Sequence, residues 1–184
     1  FGGPDPRRGE YYCYMETIGG GNGARPTKDG PDGVQTNLQN TENAPIEEIE
    51  LHYPIRIKRY ELITDSCGAG RYRGGMAIRR DFEFPYAECS WTVLSDGRKF
   101  APWGLMGGAD GSCARFIFDP EGEHRDLPSK CTIEVPKGGC VRVETPGAGG
   151  FGDPRERDKN AVRRDLRDGK ISIESAKAFY AIDE

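Results

Sequence analysis

The 184-residue chain has no apolar run long enough to cross a membrane, so no spanning helix is expected. It has only two histidines, His52 and His124, and no cysteines in CxxC spacing, which argues against a structural zinc site and leaves no metal site to predict. It lacks an excess of positive charge. Lys and Arg number 26 against 30 Asp and Glu, a formal net charge of −4, so a nucleic-acid grip built on bulk charge is excluded. It shows no secretory leader. The six cysteines (Cys13, Cys67, Cys89, Cys113, Cys131 and Cys140) therefore read as reduced, mostly buried small hydrophobes of a cytoplasmic protein. No glycine loop ends in G-K-[ST], and no Ser/His/Asp or Cys/His arrangement serves a nucleophile. The hydrophobic set is thin, at 35% of residues, which suits either a subunit that leans on a partner or a loop-rich monomer.

What the chain has in quantity is glycine (26) and proline (13), without the short repeat of a collagen or solenoid. Three glycine loops stand out: "GGGNGA" at 19–24, "GAGRYRGG" at 68–75 and "TPGAGGFGDP" at 145–154. The second admits two readings. One is a plain connection between strands with solvated arginines. The other is a cradle in which backbone N–H groups, with Arg71 and Arg73 as forked donors, hold a phosphate or carboxylate. Gly20, Gly21, Asn22 and Gly23 form a second candidate nest, and the three loops are expected to gather at one mouth. Asp65 is a candidate general base or an anchor for Arg71 or Arg73. Glu47, Glu48 and Glu50 read as surface helix charge. Cys67 is the best thiol candidate, because neighbouring arginines would lower its pKa. His52 is expected to pack beside Tyr53.

Most of the apolar signal has period two, which predicts a mainly β, α+β domain of antiparallel strands with long Gly-rich loops. Strands are expected at 11–17, at 55–64 with a bulge near Lys58 or Arg59, at 76–84 with Arg80 breaking the apolar set, at 89–93, and around Phe116 and Phe118. Two hairpins are expected: 76–84 with 89–93 around Pro85 and Tyr86, and Ile133/Val135 with Val141/Val143 across "PKGG". Pro45 opens one short helix carrying Ile46, Ile49 and Tyr53. Two short C-terminal helices follow. Asp158 caps the first, which carries Val162 and Leu166 and stops at Gly169; Ser172 caps the second, with Ala176, Phe179 and Tyr180 inward. The division expected is a β-rich body over 1–154 and a helical tail over 155–184.

The chain resembles the C-terminal part of the hydantoinase B/oxoprolinase family nearly end to end. The resemblance rests on "FGG", "YMETIGGGNGARPTKDGPDGVQTN", "NTENAPIEEIELHYPIRIKRYEL", "DSCGAGRYRGGMAIRRDFEF", "LSDGRKFAPWGLMGG", "LPSK", "ETPGAGGFGDPRERD" and "VRRDLRDGKIS". It implies a component of an ATP-dependent hydrolase of cyclic amides such as hydantoins and 5-oxoproline. A hydantoinase A-type, kinase-like subunit would bind ATP, and a chain or segment carrying the upstream B-type half would complete the enzyme. The alternatives are a subunit of an acetone- or acetophenone-type ketone carboxylase, or a non-catalytic structural subunit. The resemblance also implies ATP and a divalent metal in the complex, the metal held by upstream histidine and carboxylate ligands that match no position here. The chain alone is expected to turn nothing over, and it reads as a piece cut or processed from something longer.

Overall fold

A computed structural model describes residues 1–35 and 41–182. Two antiparallel sheets face each other across one core. The first contains β1 (Gly2–Asp5), β2 (Glu10–Cys13), β5 (Cys89–Leu94) and β8 (Lys130–Val135), in the order β2-β1-β5-β8. The second contains β3 (Arg56–Leu62), β4 (Ile78–Glu83), β6 (Arg115–Phe118), β7 (Arg125–Asp126) and β9 (Cys140–Glu144), in the order β3-β4-β9-β6-β7. Helices are short: α1 (Ile46–His52), α2 (Lys159–Arg167) and α3 (Ile173–Tyr180). The mainly β, α+β class is as expected from the period-two signal.

Alternation decides what fills the core. Cys89, Trp91 and Val93 of β5 point inward, as do Phe82 of β4, Phe116 of β6, and Val141 and Val143 of β9. Each large apolar side chain buried here stabilises the fold by about 1.5–3 kcal/mol. The bulge in β3 is present, with the register slipping between Ile57 and Arg59. It brings Ile57, Tyr60 and Leu62 opposite Phe82, Arg80 and Ile78, so all three side chains share one face. Arg80 does not interrupt that face. It is fully buried, paired to Glu16 at 2.7 Å and to the Ala44 carbonyl at 2.9 Å, with its guanidinium 4.6 Å from the Tyr60 ring centre.

Neither expected hairpin forms. β4 and β5 lie in opposite sheets, and so do β8 and β9. Residues 84–88 and 136–139 are arches that carry the chain across the core. They lie side by side: Phe84 N–H donates to Gly139 O at 3.0 Å and Gly138 N–H donates to Phe84 O at 2.8 Å. Period two reports which side chains point inward. It does not report whether the next strand sits beside the first or across from it.

Smaller corrections have local causes. β2 ends at Cys13 rather than reaching residue 17, although Tyr14 N–H still donates to Phe1 O at 2.9 Å. Beyond it Glu16 turns inward to meet Arg80. Pro45 caps α1 instead of occupying its first turn. His52 is half exposed and pairs with Glu48 one turn back, at 3.2 Å. Phe179 is 43% exposed, whereas Ala176 and Tyr180 of the same helix are buried. The caps on α2 and α3 are those expected: Asp158 accepts from Asn160 and Ala161 N–H, and Ser172 accepts from Ser175 N–H. Gly169 takes the left-handed conformation just past α2 (φ +69°). No helix among the described residues is long and apolar enough to cross a membrane.

Candidate functional site

The three glycine loops do come together, joined by a fourth segment at 101–112. Gly21 N–H donates to Pro146 O, Gly75 N–H to Asn22 O, Ala148 N–H to Gly75 O, Gly68 N–H to Ala148 O and Ala24 N–H to Gly149 O, all within 2.8–3.1 Å. The segments pack backbone against backbone. A Cβ on Gly75 would collide with Pro31 O, one on Gly74 with Ala148 O, and one on Gly147 with Ser66 O. None of these three glycines is in the left-handed region, so the residue is needed for close approach and not for turning. The same constraint operates at other crowded chain axes, where only glycine fits. The density of "GAGRYRGG" therefore has a packing cause.

The arginines of that loop part company. Arg73 is 4% exposed. Its guanidinium donates to both oxygens of Asp32 at 2.7 and 3.1 Å, to Asp165 at 3.3 Å and to Gly74 O at 2.9 Å. Arg157, from the turn before α2, is its counterpart. It donates to both oxygens of Asp29 at 2.7 and 2.8 Å, to Asp165 at 2.7 Å and to Arg71 O at 3.2 Å. Lys170 closes the group on Asp32 at 3.0 Å. Asp165 thus bridges two buried guanidinium groups, and the network locks the tail to the loops at 28–32 and 68–75. Burial alone would depress the Arg73 guanidinium, but Asp32 and Asp165 outweigh it and raise it. Burial would raise the Asp29 and Asp32 carboxyls. Arg157 on the first, and Arg73, the Met76 N–H and Lys170 on the second, hold both below the ordinary range.

Arg71 has a different setting. Its side chain is 56% exposed, with a 3.7 Å approach to Glu156 and its guanidinium 5.8 Å from the Tyr72 ring centre. It lines an open cleft of about 470 Å³ with Lys28, Asp29, Tyr72, Glu156 and Arg164. Asp65 meets neither arginine. It sits at φ +62°, where its carboxylate accepts from Ser172 N–H at 2.8 Å and so helps hold the start of α3. The backbone N–H groups of Gly21 and Asn22 are already donated, to Pro146 O and Pro31 O. Glu50 accepts from Ile57 N–H at 2.8 Å. Cys67 runs opposite to expectation. Burial pushes its thiol up to about 11, and the Arg73 charge offsets this only in part because Asp165 and Asp32 neutralise it. Among the described residues no group of three or more His, Cys, Asp or Glu side chains is placed to hold a metal ion. The carboxylates of Asp29, Asp32 and Asp165 are instead taken up by cationic side chains. Sequence reasoning misses Arg157 and Asp165, because the mixed charges at 155–167 read as a solvated face. The signal available is that Asp165 falls three residues after Val162, on the inward side of α2.

The family model for hydantoinase B/oxoprolinase matches residues 1–154. The chain belongs to the hydantoinase B/oxoprolinase family. The B subunit of a putative D-/L-hydantoinase from a Pseudomonas species is 41% identical over 94% of this chain and 29% of its own length. The crystal structure of an ATP-dependent caprolactamase from Pseudomonas jessenii superposes with a TM-score of 0.83 at 28% identity, over 98% of this chain and 33% of that one. A nucleotide-free acetone carboxylase shares the fold, with a TM-score of 0.67 at 22% identity over 88% of this chain and 26% of that one. The chain spans about a third or less of the length of these proteins.

Proposed function

We propose that this chain is the C-terminal portion of the B-type component of an ATP-dependent cyclic-amide hydrolase. The observation that carries the reading is the 41% identity to the hydantoinase B-type relative across 94% of the chain. The caprolactamase superposition supports the same reaction class, opening of a ring amide at the expense of ATP. An amide resists attack because its C–N bond has double-bond character. Transfer of the γ-phosphoryl group of ATP to the amide oxygen releases ADP and activates the carbon. Water then adds there and the C–N bond breaks with a proton passing to nitrogen, which leaves an acyl phosphate; a second water hydrolyses that to the carboxylate and free phosphate. The proposed partners are a hydantoinase A-type, kinase-like subunit that binds ATP and the remaining part of the B-type polypeptide, with ATP and any divalent metal held outside this chain. The cytoplasm is the proposed compartment, supported by six cysteines that are all free.

Of the residues put forward from the sequence, Arg71 is proposed to meet an anionic group of substrate or intermediate, since its guanidinium reaches solvent at the cleft. Arg73 and the loop at Gly20, Gly21, Asn22 and Gly23 are proposed to hold the Arg71 loop in place, and Asp65 to hold the start of α3. A second reading, a structural component with no catalytic group, is favoured by the commitment of Arg73 and Arg157 to internal carboxylates. ATP hydrolysis by the assembled enzyme separates the possibilities. Stimulation by a cyclic amide is expected. Stimulation only by a ketone with bicarbonate would transfer the chain to a carboxylase. The Arg71→Ala variant is expected to assemble and lose turnover about tenfold or more; normal turnover would favour the structural reading.

A further inference from the structure

The segment 100–106 carries four large apolar side chains turned to solvent: Phe100 and Trp103 at 75% exposure, Leu105 at 51% and Met106 at 79%. No charged residue occurs between Ala101 and Gly108. Four large apolar side chains exposed within seven residues point to an interaction site, and Trp is the residue most often dominant in one. The segment is held in place by its backbone. Leu105 N–H donates to Gly150 O at 2.9 Å, Gly152 N–H to Leu105 O at 3.0 Å, Gly111 N–H to Pro102 O at 2.9 Å and Gly104 N–H to Asp110 Oδ1 at 2.9 Å. Gly104, Gly108 and Gly149 admit no Cβ, because one on each would collide with a neighbouring carbonyl oxygen. Met106 is kept at φ +52°, a conformation that side chains seldom adopt, and its side chain faces outward. The glycine packing thus presents a preformed apolar surface, and preformed surfaces lose little freedom on binding.

We propose that this surface is the docking face for the part of the B-type polypeptide that lies outside these 184 residues. The inference rests on the B-type reading above. Its occupant follows from length: the chain accounts for 29% of the hydantoinase B-type relative it matches, so most of that relative is other sequence belonging to the same component. A rigid, Trp-bearing surface with no charge between Ala101 and Gly108, and one ammonium, that of Lys99, 5.4 Å from the Phe100 ring centre at its edge, suits a permanent apolar contact within one component better than a transient contact between subunits.

The test replaces Trp103 with the photo-crosslinker benzoylphenylalanine in the full enzyme complex and maps the cross-linked peptides by mass spectrometry. The proposal expects cross-links to B-type sequence outside residues 1–184. Cross-links only to the ATP-binding subunit, only to a second copy of this region, or none at all would overturn it. A second arm compares Trp103→Glu with Leu94→Glu, a residue similarly exposed at the end of β5. Trp103→Glu should lower the yield of assembled complex about tenfold and Leu94→Glu should leave it unchanged; equal yields would also overturn the proposal. Neither arm measures turnover, so a wrong substrate class would leave both results standing.

Discussion

At the scale of single residues, the glycines and the buried arginines make the strongest demands. Gly75 has backbone on the side where a Cβ would go, whereas Gly23 has nothing within 4 Å. Gly75→Ala should lower stability by about 3 kcal/mol, because backbone carbonyls cannot swing aside as side chains do. Gly23→Ala should be neutral, or stabilise by up to about 1 kcal/mol through the unfolded chain. Urea midpoints of the two variants check the pair. Asp165 carries two guanidinium groups at once. Asp165→Asn leaves Arg73 on Asp32 and Arg157 on Asp29, but it gives the buried cluster one net positive charge; it should cost about 3 kcal/mol, read from the same midpoints. A sequence shows that "GAGRYRGG" is unusual. It does not show that separate segments must touch there, because the contacts are made by residues as distant as Pro31 and Ala148.

At the scale of elements, local signals are legible in the sequence and pairings are not. Alternation locates β3, β4, β5, β6, β8 and β9. Cap residues locate the starts of α2 and α3 to the residue, since Asp158 and Ser172 each answer orphan N–H groups of their own helix. The bulge in β3 is readable as a change of parity. Both arches, however, look like hairpins in sequence, because turn residues such as those of "PKGG" suit either connection. Arg80 looks like a break, because its partners Glu16 and Ala44 lie 64 and 36 residues away. The Asp158 cap can be tested directly. Asp158→Ala should loosen α2 by about 1 kcal/mol. Faster amide hydrogen exchange confined to the tail would report it; exchange unchanged in α2 would count against the cap.

At the scale of the whole molecule, ion pairs tie the tail to the loops and one strand to the next. Asp81 shows the second case, bound by Arg79 of its own strand and Arg142 of β9. Burial would raise its carboxyl, yet those two arginines hold it below the ordinary range. Asp29 and Asp32 are lowered likewise. A carboxyl with a depressed folded-state pKa contributes stability that is complete above its unfolded value and lost as pH falls. Stability should therefore be flat near neutrality and decline below about pH 4, as these three carboxylates take up protons. A thermal midpoint that rose between about pH 5 and about pH 3 would contradict this.

Arg73 belongs to the internal frame, and Arg71 is the arginine of its loop that faces outward. The most direct measurement of that division is the thermal midpoint of the proposed enzyme complex carrying Arg73→Lys, taken together with its KM for a cyclic amide, the substrate class proposed above. Lysine keeps the charge but loses the fork that spans Asp32 and Asp165. The expected result is a midpoint lower by about 5 °C or more with KM within about twofold of the parent. An unchanged midpoint with KM raised about tenfold would place Arg73 against substrate and contradict the internal-frame role.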